Sequence, residues 1–140
     1  MTHSRPIVTE VLNSAFIVAA MYGEMNIIDR LLDDPNIDPA SHNNVAFITA
    51  ARYGHGDIIA TLLADPRVDP SARDCLALVA AVYNGHGDVV RLLLSDSRIN
   101  PGSQNYLAFR TAIASNRRDI VTLFVNCPRF SIVDSFVNIL

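Results

Sequence analysis

Apolar residues fall along this chain in two alternating blocks. In the first block Ala46, Phe47, Ala50 and Ala51 are followed by Ala77, Leu78, Ala81 and Val82, then by Ala108, Phe109, Ala112 and Ile113. A spacing of i, i+1, i+4, i+5 places each set on one face of a helix. In the second block Ile58, Ile59, Leu62 and Leu63 recur as Val89, Val90, Leu93 and Leu94, which predicts a second helix with its own apolar stripe. The whole pattern returns every 31 residues, in register with Asp38-Pro39, Asp69-Pro70 and Asn100-Pro101. Ala15-Phe16, Tyr22-Gly23, Ile27-Ile28 and Leu31-Leu32 supply an earlier copy. The chain therefore reads as one all-α domain over 1–140, a solenoid of helix-turn-helix repeats at 7–37, 38–68, 69–99 and 100–130 with a remainder at 131–140. A fixed period of this size marks a stacked array.

The polar positions punctuate the same register. Gly23, Gly54 and Gly85 are expected to end the first helices, since glycine tolerates positive φ just past a C-terminus. Asn26, Asp57, Asp88 and Asp119 are expected to open the second helices, where a side-chain oxygen can accept orphan N–H groups. Proline follows at Pro35, Pro66 and Pro128 and stops the helix. The Asp38-Pro39 type of step predicts an extended segment, and Ser41, His42 and Asn43 a turn back to the next helix. One position is always alanine, at Ala19, Ala50, Ala81 and Ala112, which would let neighbouring helices approach closely. A single unit cannot stand alone. Ordering each residue costs on the order of 1–2 kcal/mol, and each large apolar side chain returns about 1.5–3 kcal/mol only when buried. Stacking is thus required. Phe136, Val137, Ile139 and Leu140 would make one apolar face, so 131–140 is expected to cap the fourth unit.

Composition narrows the function. Half the residues are hydrophobic and the formal net charge is −3, which favours a packed core over disorder. All eleven basic residues are arginine, scattered without a stripe that could track phosphates, so nucleic acid is not expected as a partner. The longest apolar runs, 15–22 and 75–83, are far short of the roughly 20 residues a membrane span needs. The first of these belongs to the repeat, so neither a secretory leader nor membrane association is expected. Cys75 and Cys127 occupy different positions in their units and form no metal or redox pattern. Two unmatched thiols suit a reducing compartment, and a cytoplasmic location is expected, with nuclear or effector-type placement left open.

Ala46-Phe47-Ile48-Thr49-Ala50-Ala51-Arg52-Tyr53-Gly54-His55 resembles the first helix and turn of an ankyrin repeat, and 77–86 does so again. Asp57-Ile58-Ile59 and Leu62-Leu63 are similar to the second helix of that family. The usual repeat is 33 residues, so the connecting loops here should be shorter and lack a regular β-hairpin. The family's Thr-Pro-Leu-His is replaced by Val45-Ala46-Phe47-Ile48 and Leu76-Ala77-Leu78-Val79. Glu24 and Asn116-Arg117 depart from the Gly-His pattern in the edge units. The resemblance implies that His55 and His86 bridge adjacent turns through backbone hydrogen bonds. It also implies a concave binding side made by the first helices and loop tips. Arg52, Tyr53, Tyr83 and Asn84 would sit at the helix ends. His42, Asn43, Arg73, Asp74, Gln104 and Asn105 would sit at the tips, and Arg110, with Ile17, Ile48 and Val79, at the position of the family's histidine. Tyr and Arg are enriched where binding energy concentrates.

Two tempting chemistries weaken on inspection. Gly54-His55-Gly56-Asp57 lacks the Lys-Ser/Thr that a phosphate loop would need, and the two histidines stand one whole repeat apart. Cys75 is flanked by Arg73 and Asp74, which offer no base to a nucleophile, so a partly buried structural thiol is expected. The reading is a non-enzymatic module without cofactor or metal that binds another protein. The alternative is a self-association module, a homo-oligomer built through exposed terminal faces.

Overall fold

The computed structural model describes residues 4–131, with side chains from Ile7 onward. Of the segment 131–140 expected to cap the fourth unit, residues 132–140 lie outside the described residues. Eight helices follow in order: α1 (Ser4–Tyr22), α2 (Met25–Leu32), α3 (Ser41–Arg52), α4 (Gly56–Leu63), α5 (Ala72–Tyr83), α6 (Gly87–Leu94), α7 (Ser103–Ala114) and α8 (Arg118–Val125). No strand occurs among the described residues. The odd-numbered helices pack as one row, α1 on α3 on α5 on α7, and the even-numbered helices as a second row behind it. Each pair also packs within itself. The molecule is a helical repeat solenoid, and one continuous apolar seam runs between the rows.

The seam is filled by the stripes the spacing predicts. Phe16, Phe47, Leu78 and Phe109 stand at one register position and are all buried, as are Ile58, Val89 and Ile120 at another. The invariant alanines, Ala19, Ala50, Ala81 and Ala112, are buried with them. Their carbonyls have a second task. The N–H groups of Glu24, His55, His86 and Arg117 each bond back to them at 2.9 Å, closing the six-to-one loop of a Schellman turn. Gly23, Gly54 and Gly85 carry φ of +74 to +77° within it. The fourth turn uses Asn116 at φ +54°, a residue type that tolerates the left-handed region.

Four expectations need correction. Asp57 and its equivalents do not cap the second helices: His55, His86 and Arg117 hold the cap position, without a side-chain cap bond. Asp57 lies two residues further on and Oδ1 accepts the Ile58 N–H at 2.8 Å, so its benefit is to the first turn and the helix dipole. The Asp-Pro steps lead no extended segment. Asp38, Asp69 and Asn100 accept the N–H two residues on, at 3.0, 3.0 and 2.9 Å, and so close Asx turns. The first unit does not repeat the helix length of the others, as a common register would predict, since α1 is unbroken over 19 residues where α3, α5 and α7 have 12. Ile113, expected in the buried stripe, is exposed at the α7 edge of the row.

Candidate protein-binding face

The tips are the least expected feature of the backbone. Within α3 the residues His42, Asn43 and Asn44 have φ of 55–64° and ψ of 34–51°, a full left-handed turn. Arg73-Asp74-Cys75 and Gln104-Asn105-Tyr106 repeat it. Left-handed helix costs L-residues roughly 1–2 kcal/mol each, so each tip must be held. The N–H of its last residue bonds four residues back, Asn44 to Ala40 at 3.0 Å, Cys75 to Ser71 at 2.9 Å and Tyr106 to Gly102 at 3.1 Å. The middle residue is Asn43, Asp74 or Asn105, the types whose short polar side chains best tolerate this region. The corresponding residue in the first pair is Leu12, and there the helix runs straight through.

The candidate tip residues spend much of their polarity on each other. Arg73 donates to the His42 carbonyl at 2.7 Å. Ser103 Oγ and Gln104 Nε2 both donate to the Asp74 carbonyl at 2.9 Å. Arg110 Nε donates to the Asn105 carbonyl at 3.0 Å within its own pair. His42, Asn43, Arg73, Asp74, Gln104 and Asn105 are exposed at these tips, so the structure brings them into one line. Ile48 is buried between helices and takes no part in a surface.

At the other end of the first helices, Arg52, Leu76, Val79, Ala80, Tyr83 and Asn84 line an open groove between α3 and α5. Tyr53 and Tyr83 are 49% and 68% exposed. Asn84 Nδ2 donates to Ala80 O at 2.8 Å, which fixes its side chain along the helix. The floor is apolar and the rim carries the Arg52 guanidinium and the Tyr83 phenol ring. Side chains of the next pair hydrogen-bond to backbone carbonyls and clamp this end of α1, α3 and α5. His55 Nε2 lies 2.8 Å from Met21 O, and His86 Nε2 2.9 Å from Arg52 O. Arg117 takes the histidine's place and donates to Tyr83 O at 3.2 Å. The bridging role expected of the two histidines is therefore observed, with an arginine extending it to the fourth pair.

Two ladders escaped the sequence reading. Asn13 and Asn44 are buried, and their Oδ1 atoms accept the N–H of Asp38 and Asp69 at 2.8 and 2.9 Å. Behind the second helices, Arg67 and Arg98 fork onto Asp65 and Asp96 at 2.7 Å. Arg98 continues to the carbonyl of Leu63 at 2.8 Å, the last residue of α4. Arg129 reaches the carbonyls of Leu94, Ile99 and Asp96. Guanidinium groups thus satisfy orphan carbonyls at helix C-termini. The arginine side-chain hydrogen bonds hold the Asp65 and Asp96 carboxyls below the usual carboxylate range. The signal was present: Arg67, Arg98 and Arg129 share one register position.

Both cysteines are buried and unbridged. Cys75 is the last left-handed residue of its tip rather than the start of a right-handed helix. Among the described residues no cluster of three or more His, Cys, Asp or Glu could hold a metal ion. No helix among them is long and apolar enough to cross a membrane. Comparison with protein families matches residues 75–106 to the ankyrin repeat. The matched span runs from the last residue of one tip to the last residue of the next, one period of the pattern. A comparison with curated proteins finds no match.

Proposed function

We propose that this chain is a binding module that holds a protein partner against the groove between α3 and α5, on the concave side of the stack. An ankyrin repeat and a solenoid of rigid helix pairs support a protein-interaction scaffold, a role carried by surface complementarity without catalysis. The observation that carries the finer reading is the groove itself. Leu76, Val79 and Ala80 form an apolar floor beside Arg52 and Tyr83, and Tyr53, next to Arg52 in the chain, is exposed. Aromatic rings over an apolar floor supply contact area at low entropic cost, and arginine adds directional donors. The partner that fits presents an aliphatic or aromatic side chain for the floor and a carboxylate or carbonyl for Arg52. The tips contribute less, because Arg73 and Gln104 already bond to neighbouring tips.

The test is affinity capture with the full chain, repeated with Arg52, Tyr53 and Tyr83 changed together to Ala. Loss of one captured partner, with the helical circular dichroism retained, supports the groove. An unchanged set of captured proteins moves the site elsewhere. Changing His42, Asn43 and Gln104 to Ala in a second variant should leave capture within a few-fold of the parent. Loss there alone would place binding at the tips.

A further inference from the structure

The positions that bury one helix pair on the next do not stay buried at the two ends of the row. Ile58, Val89 and Ile120 are fully buried, and Ile27, at the same place in the first pair, is 45% exposed. At the other end, Ala20, Ala51 and Val82 are fully buried and Ile113 is 46% exposed. The first set is covered by the preceding pair and the second by the following pair, because each opens only where that neighbour is missing among the described residues. The two open faces are therefore the two halves of an interface that the molecule already makes between its own pairs.

We propose that a second copy of this chain supplies the missing half: the α7–α8 face of one molecule docks on the α1–α2 face of the next, in the register of the internal stack. This surface is distinct from the groove between α3 and α5. The occupant is read from the molecule itself, since the internal joints show what covers such a face.

The polar contact that marks the register changes in a complementary way at the ends. Inside the stack, the glycine of one pair lies beneath a side chain of the next. A Cβ on Gly23 would meet the His55 ring at 2.8 Å, and one on Gly54 would meet His86 Nδ1 at 2.5 Å. At the open ends the residues in these two roles are Asn116 and Glu24, both exposed. The Asn116 amide can donate to the Glu24 carboxylate where glycine and imidazole meet internally. Arg118 follows on the same face, so charge also favours Glu24 across the joint. Glu24 cannot donate to a backbone carbonyl as His55 does, which makes the joint weaker than the internal ones and reversible. Such a contact is heterologous, so molecules add head to tail.

The experiment is sedimentation of the full chain over a range of concentrations, with Ile27→Arg and Ile113→Arg. Both sites are half exposed, and circular dichroism checks that each variant folds. The parent should gain mass with concentration. Each variant alone should stay monomeric, because an arginine facing an apolar surface weakens docking on the order of 100-fold. An equimolar mixture should form a one-to-one dimer and stop, since each variant keeps one good face of opposite kind. A parent that stays monomeric throughout overturns the proposal. A variant that still dimerises by itself also overturns it, by pointing to pairing through a single self-complementary face. As a check on register, Asn116→Asp should weaken self-association on the order of tenfold, and adding Glu24→Lys should restore it. Failure of that restoration, with association otherwise intact, would overturn the register.

Discussion

Each inner helix pair turns twice through the left-handed region, by opposite means. Between its helices the chain crosses at a single glycine, and the side chain of the next pair lies over that glycine. At the tip it stays there for three residues, none of them glycine. The glycine turn is dictated from outside, by the neighbour that occupies the space a Cβ would need. The tip is dictated from inside, by a closing backbone bond, an Asx turn before it and a tolerant Asn or Asp at its middle. The first pair separates the two cases. It keeps the glycine turn at Gly23 and has no left-handed tip, yet α1 still packs on α3. Stacking needs the first turn and not the second.

Gly54→Ala should therefore be the most damaging small substitution. It places a methyl group at φ +77° and within 2.5 Å of the His86 ring. Strain and clash together should cost about 3 kcal/mol, read as a lower midpoint in thermal or urea unfolding. Asn116→Ala is the matched control, with positive φ at the same register position. It should cost about 1 kcal/mol. Equal losses at the two sites would mean that the neighbour's side chain contributes nothing to the glycine requirement.

Asn44→Leu tests the tip where it meets the next pair. It removes the acceptor of the Asp69 N–H, at 2.9 Å, and puts a bulkier residue at φ +64°. An unsatisfied buried donor costs about 1–3 kcal/mol, so a loss of about 2 kcal/mol is expected by chemical denaturation. Cys75 occupies the same place and has no amide oxygen to offer. A variant as stable as the parent would mean that the third residue of the tip serves packing alone.

These cases show what the chain discloses as a string of letters. The 31-residue register, the paired helices, the small-residue seam at Ala50 and the glycine turn at Gly54 were all legible. Each depends on residue type at a fixed spacing, and hydrophobic periodicity reports burial directly. The bridging of His55 was legible only through likeness to a family, because its partner is a backbone carbonyl, which no letter encodes. The left-handed tips were missed although Asn43, Asp74 and Asn105 line up. A polar Asx-rich stretch reads simply as a turn, and the three-residue run depends on backbone closure. The arginine ladder was missed because its acceptors are again carbonyls. The exposure of Ile113 depends on which neighbour is present, and a repeating pattern does not say which copy stands at an edge.

His86→Ala sharpens the comparison at smaller scale. Losing the bond to Arg52 O, at 2.9 Å, should cost about 1 kcal/mol. In the background of Gly54→Ala the same change should cost less than that, because the ring that clashes is gone. Additive losses in this double-mutant cycle would separate the glycine from the histidine. Below this in size lies the middle of the tip. Asn43→Gly should raise stability by about 0.5 kcal/mol, since glycine relieves the φ of +57° at some entropic cost. Asn43→Leu, which copies Leu12 of the first pair, should lower it by about 1 kcal/mol. If both variants melt with the parent, local preference does not hold the tip.

The smallest effect lies at the corner after each second helix, which belongs to neither turn and is the place where ionisation enters. Asp65 and Asp96 are held below the usual carboxylate range by the hydrogen bonds of Arg67 and Arg98. A folded-state value below the unfolded one means that the forks stabilise the protein above the ordinary carboxylate range, and that this contribution is lost as pH falls through the lowered values. The arginines stay charged throughout, so the carboxylates set the window, below about pH 4. The two arginines are each more than a third exposed, at 45% and 41%, so solvent screening limits each fork to about 0.5 kcal/mol. Unfolding midpoints measured between neutral pH and the acid range should fall less steeply for the double variant Asp65→Asn, Asp96→Asn than for the parent, with the two curves converging at the acid end. Parallel curves would show that the forks carry no linked protons. The corners would then act through the arginine–carbonyl bonds, which span neighbouring pairs as the glycine turns do and the Asx turns do not.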